Sequence, residues 1–482
     1  MQSESIPHPR RIEDEFSRAT RDACTVPHFN EFMGELFIEQ LLRDDLHAVV
    51  PAMEIDVAAV LQNCLEARRR RQVRDLKLLT IAVCGSTLSL ALTGLGASFL
   101  VPFPVVGMLV IAYCVVRGEL VDRQTAVRRL TGRRPPAPQS RRVSPWVAAR
   151  LAVIHQAQTG NLSVHRDFSP FQGFGPTRSA WSLTVRLQPE PQRSPAKAKE
   201  FTAEELSEHV KAELSGLHTS PHHGERTRYE DRVFVRGDAI PPEWMLIHDR
   251  KGEHTRRPRT EIAESEVKDI LNSPRMTARH YLCMHTSSWE GEFVASSFLH
   301  ASIQSETLYI DFHQTVLGPV RLHPQARDLL NGKLPRKRET SSEAAFLTLP
   351  WLLLSPFRAL NRWRTDVRLG KRRRTARTTA AEDPAYDYST WFSLRESVNT
   401  DAYDNCFQKL DVDRQCKTAQ LNILAGVIGF LDAHDVDTSE FRKQQTSILN
   451  HGVLQLGGVS NVKAQAVGTG AQAVSLDAPP AE

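Results

Sequence analysis

Three residues could carry out acid–base chemistry if folding brought them together: His285, Asp311 and His313. They lie in strand-like runs, YLCMH and LYIDFHQT, and side chains on neighbouring strands can converge. No motif pairs a nucleophile with them, so the competing reading is strand residues that meet solvent or satisfy local hydrogen bonds. A second candidate is the loop SPFQGFGPTRS, Ser169 to Ser179. Its glycines would let backbone N–H groups approach a phosphate. It lacks the Lys-Ser/Thr of a P-loop and a following helix, so an aromatic-anchored connection is expected. A third is His218, His222, His223 and Glu225, four residues of metal-ligating types in HTSPHHGE. Nothing fixes them on one rigid element, and a polar loop is the expectation. Asp432, Asp435 and Asp437 do not keep EF-hand spacing. No catalytic residue, no metal and no cofactor is assigned.

The elements that would position these residues read as α+β. Asn161 to Phe168 and Ala180 to Leu187 alternate like strands and predict a hairpin around the glycine loop. Arg279–His285, Glu292–Ile303 and Leu308–Thr315 predict an antiparallel meander, with SSWEG and QSET as turns. Between the two strand groups, Thr202 to Leu217 has helix grammar. Thr202 and Glu205 form a capping box, Phe201 and Leu206 a hydrophobic staple, and Leu206, Val210, Leu214 and Leu217 one face.

The dominant feature lies upstream. Leu78 to Val116 is an uncharged run of roughly forty residues, about twice one bilayer crossing. Gly94-Leu95-Gly96 and Pro102-Phe103-Pro104 supply breakers at its middle. The reading is a two-helix transmembrane hairpin, with spans near 76–97 and 99–117. Arg68 to Arg71, Arg74 and Lys77 precede it, Arg117, Arg123, Arg128, Arg129, Arg133 and Arg134 follow it, and the turn is uncharged. By the positive-inside rule both termini are cytoplasmic. The competing reading is a helical hairpin buried in a large soluble domain. No apolar leader precedes it in MQSESIPHPRRIEDEF, so the hairpin itself is expected to direct insertion. Seven cysteines without a C-x-x-C pair suit a reduced setting.

A second basic region follows the sheet. FLTLPWLLLSPF is too short to span and carries Pro350 and Pro356. Ser355-Pro356 is expected to start a helix with a stripe of Phe357, Leu360, Trp363 and Val367. Arg358, Arg362, Trp363, Arg364, Arg368, Lys371, Arg372, Arg373 and Arg374 form a candidate membrane-binding surface, with the ring at the interface and the cations near anionic headgroups. The alternatives are a helix covering the soluble core and, on a basic run alone, nucleic acid, which is disfavoured. The chain divides into a helical N-terminal region 1–75, in which Phe32, Leu36, Ile38 and Leu41 share a face, and the hairpin 76–117. A basic Pro-rich linker 118–143 leads to the α+β domain 144–330. The basic segment 331–385 precedes a helical region 386–451, with Leu410, Leu421, Leu424, Val427, Ile428 and Leu431 as its apolar positions. A short β-like tail occupies 452–482.

The hairpin together with NLSVHRDFSPFQGFG, YDYSTWFSLRE, DVDTSEFRKQQTSILNHGV and the GG…AVGTGAQA tail resembles a group of uncharacterised actinobacterial two-span membrane proteins. The resemblance implies a bacterial cytoplasmic-membrane location and no particular activity. The leading expectation is an integral membrane protein whose cytoplasmic domains bind a partner or act as a scaffold. Lipid and a protein are its expected partners, and a homo-oligomer is compatible. The alternative is a membrane-tethered hydrolase or nucleotide-processing enzyme. Two spans without an ionisable residue disfavour a transporter.

Overall fold

The computed structural model describes residues 17–132, 145–166, 168–189, 198–217, 225–250, 253–443 and 445. The histidines at 218, 222 and 223, the Pro-rich linker core and the tail after 451 lie outside them.

The chain opens with α1 (Arg18–Phe29) and α2 (Glu31–Phe37), and α2 passes directly into a π-helical turn, Ile38–Arg43. That turn widens the repeat to i→i+5, seen in the Asp44 N–H to Glu39 carbonyl bond of 3.1 Å. The wider repeat shifts the buried face. Phe37, Ile38, Leu41 and Leu42 are inside while Phe32 is 72% exposed, so the expected Phe32–Leu41 face is corrected at its first position.

Next come α3 (Val57–Gly94), capped by Asp56, and α4 (Pro102–Arg129), which turn at Gly96 with φ +72°. The helices extend well past the apolar run, so α3 is one unbroken rod from a polar half into an apolar half. Helix α5 (Pro145–Thr159) leads into the sheet. It packs Val147 and Ile154 with α1, α2 and the start of α3 in an N-terminal core that also takes Phe392, Leu394 and Val398.

The main sheet has six strands in the order β1-β3-β6-β7-β8-β2. They are β1 (Leu162–His165), β2 (Thr177–Arg186), β3 (Arg226–Arg236), β6 (Ala278–Ser288), β7 (Phe293–Gln304) and β8 (Thr307–Leu317). Strands β4 (Met245–Arg250) and β5 (Glu253–Pro258) form a separate hairpin. Between sheet strands lie α6 (Ala203–Leu217) and α7 (Glu264–Asn272). The meander β6-β7-β8 forms as its alternation predicts, with Leu282 opposite Leu299 and Leu299 opposite Phe312. All pairs are antiparallel except β1 with β3 at one edge.

The predicted hairpin of β1 with β2 is wrong: β1 pairs with β3 and β2 with β8, at opposite edges of the sheet. The cause is in the connection. Phe171 and Phe174 are too apolar for an exposed turn, so the segment crosses one sheet face and buries both rings there. The other face is covered by α6 and by α11 (Cys406–Ala433), over Leu282, Met284, Leu299, Ile310 and Phe312. On α11 the expected Leu424, Val427, Ile428 and Leu431 are buried. Leu410 and Leu421 are not, because Val412, Cys416, Ala419 and Ile423 hold the packed face. The capping box of α6 is present, with the Thr202 N–H donating to Glu205 at 2.8 Å and the Glu205 N–H to Thr202 Oγ1 at 3.2 Å.

After the sheet, α8 (Pro324–Leu330) precedes α9 (Lys337–Glu382), and a short α10 (Leu394–Ser397) precedes α11. Helix α9 corrects the expectation that a helix begins at Ser355: it runs through both prolines. Pro350 and Pro356 each remove one i→i−4 donor. The carbonyl left by Pro356 is that of Leu352, and it accepts from the Ser355 hydroxyl at 2.8 Å. Packing of Ala344 and Leu352 with Leu78, Ala112, Val116 and Leu120 holds the helix against α3 and α4.

Candidate functional site

Two helices, Val57–Gly94 and Ser98–Arg129, are long and apolar enough to cross a membrane, and only 6% and 11% of their apolar stretches are buried inside the molecule. Leu90 is 71% exposed, Leu95 81%, Phe99 76% and Phe103 72%. A hairpin forming the core of a soluble domain would hide these groups, so the exposure goes against that reading.

Helix α9 adds a third apolar surface. Phe346, Leu349, Leu353, Phe357 and Leu360 are all exposed, Phe346 by 79% and Phe357 by 68%. Their spacing of three, four, four and three residues keeps them on one face. The opposite face, through Thr348, Leu352 and Ser355, is the buried one. The stripe therefore lies beside the hairpin and points away from the protein. Trp363 and Val367 extend it.

Beneath this surface the arginines flanking the hairpin turn inward. Arg70 pairs with Glu119 of α4 at 3.1 Å and Arg74 with Asp75 at 2.7 Å. Arg362 of α9 reaches Asp75 at 2.5 Å and Glu31 of α2 at 3.0 Å. Arg123 pairs with Glu343 at 3.0 Å, and the Arg74 guanidinium lies 4.0 Å above the Trp351 ring. His28, between Arg70 at 3.2 Å and Asn63 at 3.1 Å, is pushed down to about 3 by burial and the neighbouring guanidinium, so it is neutral. Four helices, α2, α3, α4 and α9, meet here through charge, and the neutral His28 ties in α1.

The nine candidate residues of the basic segment divide accordingly. Arg362 is spent on Asp75 and Glu31, and Arg373 on Asp45 at 3.2 Å. Arg358 sits 5.8 Å from the Trp351 ring centre. Trp363, Arg364, Arg368, Lys371, Arg372 and Arg374 are exposed. Along α9, Asp366 pairs with Arg68 of α3 at 3.0 Å. Arg68 is ten residues before Leu78, about 15 Å along α3. Lys371 to Arg374 lie further along α9 than Asp366.

The acid–base candidates are not brought together. Among the described bonds, none joins His285, Asp311 or His313 to another of the three. Asp311 accepts from Ser182 Oγ at 2.6 Å, and the half-buried His313 packs on Phe171 at 4.9 Å. His285, however, has partners that its sequence neighbourhood does not reveal. Its Nδ1 is 2.8 Å from Ser296 Oγ and its Nε2 is 3.2 Å from Glu230 Oε1. Glu230 is also paired with Arg232 at 2.9 Å, and Arg232 donates to Ser163 Oγ at 2.9 Å. Burial lowers the His285 pKa despite Glu230. Burial pushes the Glu230 carboxyl up, and Arg232 and His285 outweigh it, holding the group well below the usual range. His285 is therefore neutral, with its proton on Nε2 toward the carboxylate and Nδ1 accepting from Ser296. These are the bonds of a nucleophile–base–carboxylate chain, but Ser296 has no exposed surface and Phe174 stacks on His285 at 5.3 Å, 8° from parallel.

The glycine loop holds an anion, and the anion is the protein's own. Glu396 Oε1 accepts from the Gly173 N–H at 2.9 Å and the Gly175 N–H at 3.0 Å. Both glycines have positive φ, +96° and +95°, and a side chain on Gly175 would strike the Val316 carbonyl. Thr315 Oγ1 donates to the Phe174 carbonyl at 2.8 Å. The loop is the aromatic-anchored connection the sequence suggests. No group of three His, Cys, Asp or Glu among the described residues is placed to hold a metal ion.

No curated protein and no solved structure matches the chain. A family model does match, over residues 180–462, from β2 through α9 and α11 and excluding the hairpin and β1. That span is well over half of the sequence, and the chain belongs to the AbeC-like domain family.

Proposed function

We propose that this is an integral membrane protein of the bacterial cytoplasmic membrane, as in the actinobacterial proteins it resembles, serving as a membrane-anchored binding or scaffold protein. The hairpin crosses the bilayer twice and both termini are cytoplasmic. Helix α9 lies against the same membrane face, its apolar stripe in the lipid boundary and Arg358 and Arg364 near anionic headgroups. The soluble sheet domain presents surface to a protein partner, and self-association through the hairpin is compatible with its exposed faces. The observation that carries this reading is the stripe Phe346–Leu349–Leu353–Phe357–Leu360, exposed beside an exposed hairpin.

The test uses the full chain reconstituted in vesicles containing brominated phosphatidylcholine and phosphatidylserine. Quenching of tryptophan fluorescence is compared between wild type and Trp363→Phe. The reading expects the variant to lose a quenched component. Identical quenching in both proteins places Trp363 away from lipid and overturns the α9 contact.

A second reading, the membrane-tethered hydrolase, is favoured by the Ser296–His285–Glu230 chain of bonds. It requires the Phe171–Phe174 segment to leave the sheet before a substrate could reach Ser296. Labelling of Ser296 by a fluorophosphonate, absent in His285→Ala, would support it; no labelling of wild type would remove it.

A further inference from the structure

The main sheet has two edges, and they differ. At one, β1 is only four residues long, and its Leu162 N–H donates outside the ladder, to the Thr260 carbonyl at 3.2 Å. At the other, β2 runs for ten residues and pairs with β8 alone. A strand paired on one side points every second N–H and C=O outward. Among the described residues, no backbone bond joins Thr177 to Val185 to anything but β8. Sheets blunt an open edge with charge, proline, a bulge or brevity. Here the bulge is confined to Thr177–Ser179, and Arg178 is spent on Asp413 of α11. Ala180 to Val185, AWSLTV, has neither charge nor proline. A stretch of that composition pairs readily with another strand.

The chain after α11 leads to this edge. Val436 forms an antiparallel bridge with Pro189, three residues past the end of β2, and the Asp437 N–H donates to the Gln188 carbonyl at 2.9 Å. Phe441 is then buried in the core that holds Leu183 and Val185. Further on, outside the described residues, Val459 to Val467 places Val462, Ala464 and Ala466 in alternation with Asn461, Lys463 and Gln465. Strand β2 alternates likewise, with Leu183 and Val185 buried and Ser182 and Thr184 exposed. Nine residues of strand span about 30 Å, close to the length of β2. The fourteen residues from Gln445 to Val459 reach up to about 45 Å, enough to return beside Pro189. The matched family model spans residues 180–462, so it opens on β2 and closes inside this segment.

We propose that Val459–Val467 docks along the outer edge of β2 in the same chain, as a seventh strand of the sheet. Backbone N–H and C=O groups supply the pairing, and Val462, Ala464 and Ala466 extend the apolar face of Leu183 and Val185. The docked segment closes an edge that would otherwise pair with other molecules.

The experiment is amide hydrogen exchange on the full chain in phosphatidylcholine nanodiscs, read on β2 with β7 as the internal standard. Successive residues of a strand point their N–H groups to opposite sides, so the double variant Ala464→Pro/Gln465→Pro removes a ladder donor whichever side faces β2. Its β2 amides should exchange at least tenfold faster than those of wild type, with β7 unchanged. Ala478→Pro, beyond the segment, should match wild type, and so should wild type diluted tenfold. Equal β2 exchange in wild type and the double variant overturns the docking. Equal acceleration of β7 also overturns it, since an edge strand protects only its neighbour. Protection of β2 that falls on dilution does so too, and assigns the edge to a second copy. None of these outcomes depends on whether Trp363 meets lipid.

Discussion

At the base of the hairpin, Arg70 and Arg362 are matched to carboxylates on different helices, Glu119 and Asp75, while the plugged sheet face joins Glu230, Arg232 and His285 on adjacent strands. Adjacent strands are already aligned by their backbone ladder, so charge there adds satisfaction of polar groups and little positional information. Helices from distant parts of the chain have no such ladder, and pairs between them fix which faces meet. Apolar content points the same way. The sheet face buries Phe171, Phe174, Phe234 and Phe298 together, whereas the hairpin base has Trp351 under a guanidinium and small residues such as Ala112 and Ala344. One region is held mainly by rings and the other by ion pairs.

This contrast can be broken most sharply at Phe174. Truncating it to Ala removes a fully buried ring that contacts His285 and Phe298, and should cost about 3–5 kcal/mol of stability in a denaturant titration. A loss under about 1 kcal/mol would mean that the plug is not part of the core. At the other pole, Asp75→Asn leaves Arg74 and Arg362 without their buried counter-charge. The expected loss is about 3 kcal/mol, and protease cleavage should rise in α9 before it rises in the sheet. Equal cleavage of both regions would argue against a base stitched by charge.

Glu292 sharpens the comparison at the seam where α1 meets the sheet. Burial raises its carboxyl to about 7, with Arg18 opposing and Asp22 and Asp404 adding to the shift. Its folded value lies above its unfolded value, so its protonated form favours folding at low pH, and that contribution is lost as pH rises from about 4.5 to 7. Relative to Glu292→Gln, wild type should lose up to about 3 kcal/mol of stability across that window. A difference that does not change with pH would show the carboxyl to be ionised throughout. The smallest of these effects is expected at Glu396→Ala, which deprives the Gly173 and Gly175 N–H groups of their acceptor. About 1–3 kcal/mol and faster amide exchange at those two glycines should follow.

The features legible in the sequence were those carried by local periodicity. The uncharged run gave two spanning-length helices, the Thr202–Glu205 box capped a helix within one residue of its expected start, and alternation gave the meander. Features set by partners far along the chain were not legible. Strand β3 was not assigned, because the charges of RTRYEDR mask its alternation until Arg232 and Glu230 find Ser163 and His285. Continuity of α9 was missed because two prolines mark a break unless a neighbouring hydroxyl and two packed helices compensate. The arginines before the hairpin read as a topogenic flank, and nothing local shows that Glu119 and Asp366 reach them. His285 was singled out as an acid–base candidate with Asp311 and His313, whereas its bonded partners Ser296 and Glu230 are neighbours only across strands.

The unbroken course of α3 has a mechanical consequence. Residues 57 to 76 form the polar part of the rod, about 30 Å long, rigidly continuous with the apolar part. A change in bilayer thickness that alters the tilt of a spanning helix by about 10° would displace the far end by about 5 Å. That end carries Val57, Val60 and Leu61 into the core shared with Phe392 and Leu394, next to Glu396 and the loop it holds. If the hairpin spans a bilayer as proposed, the rod acts as a lever whose moving end lies at that core.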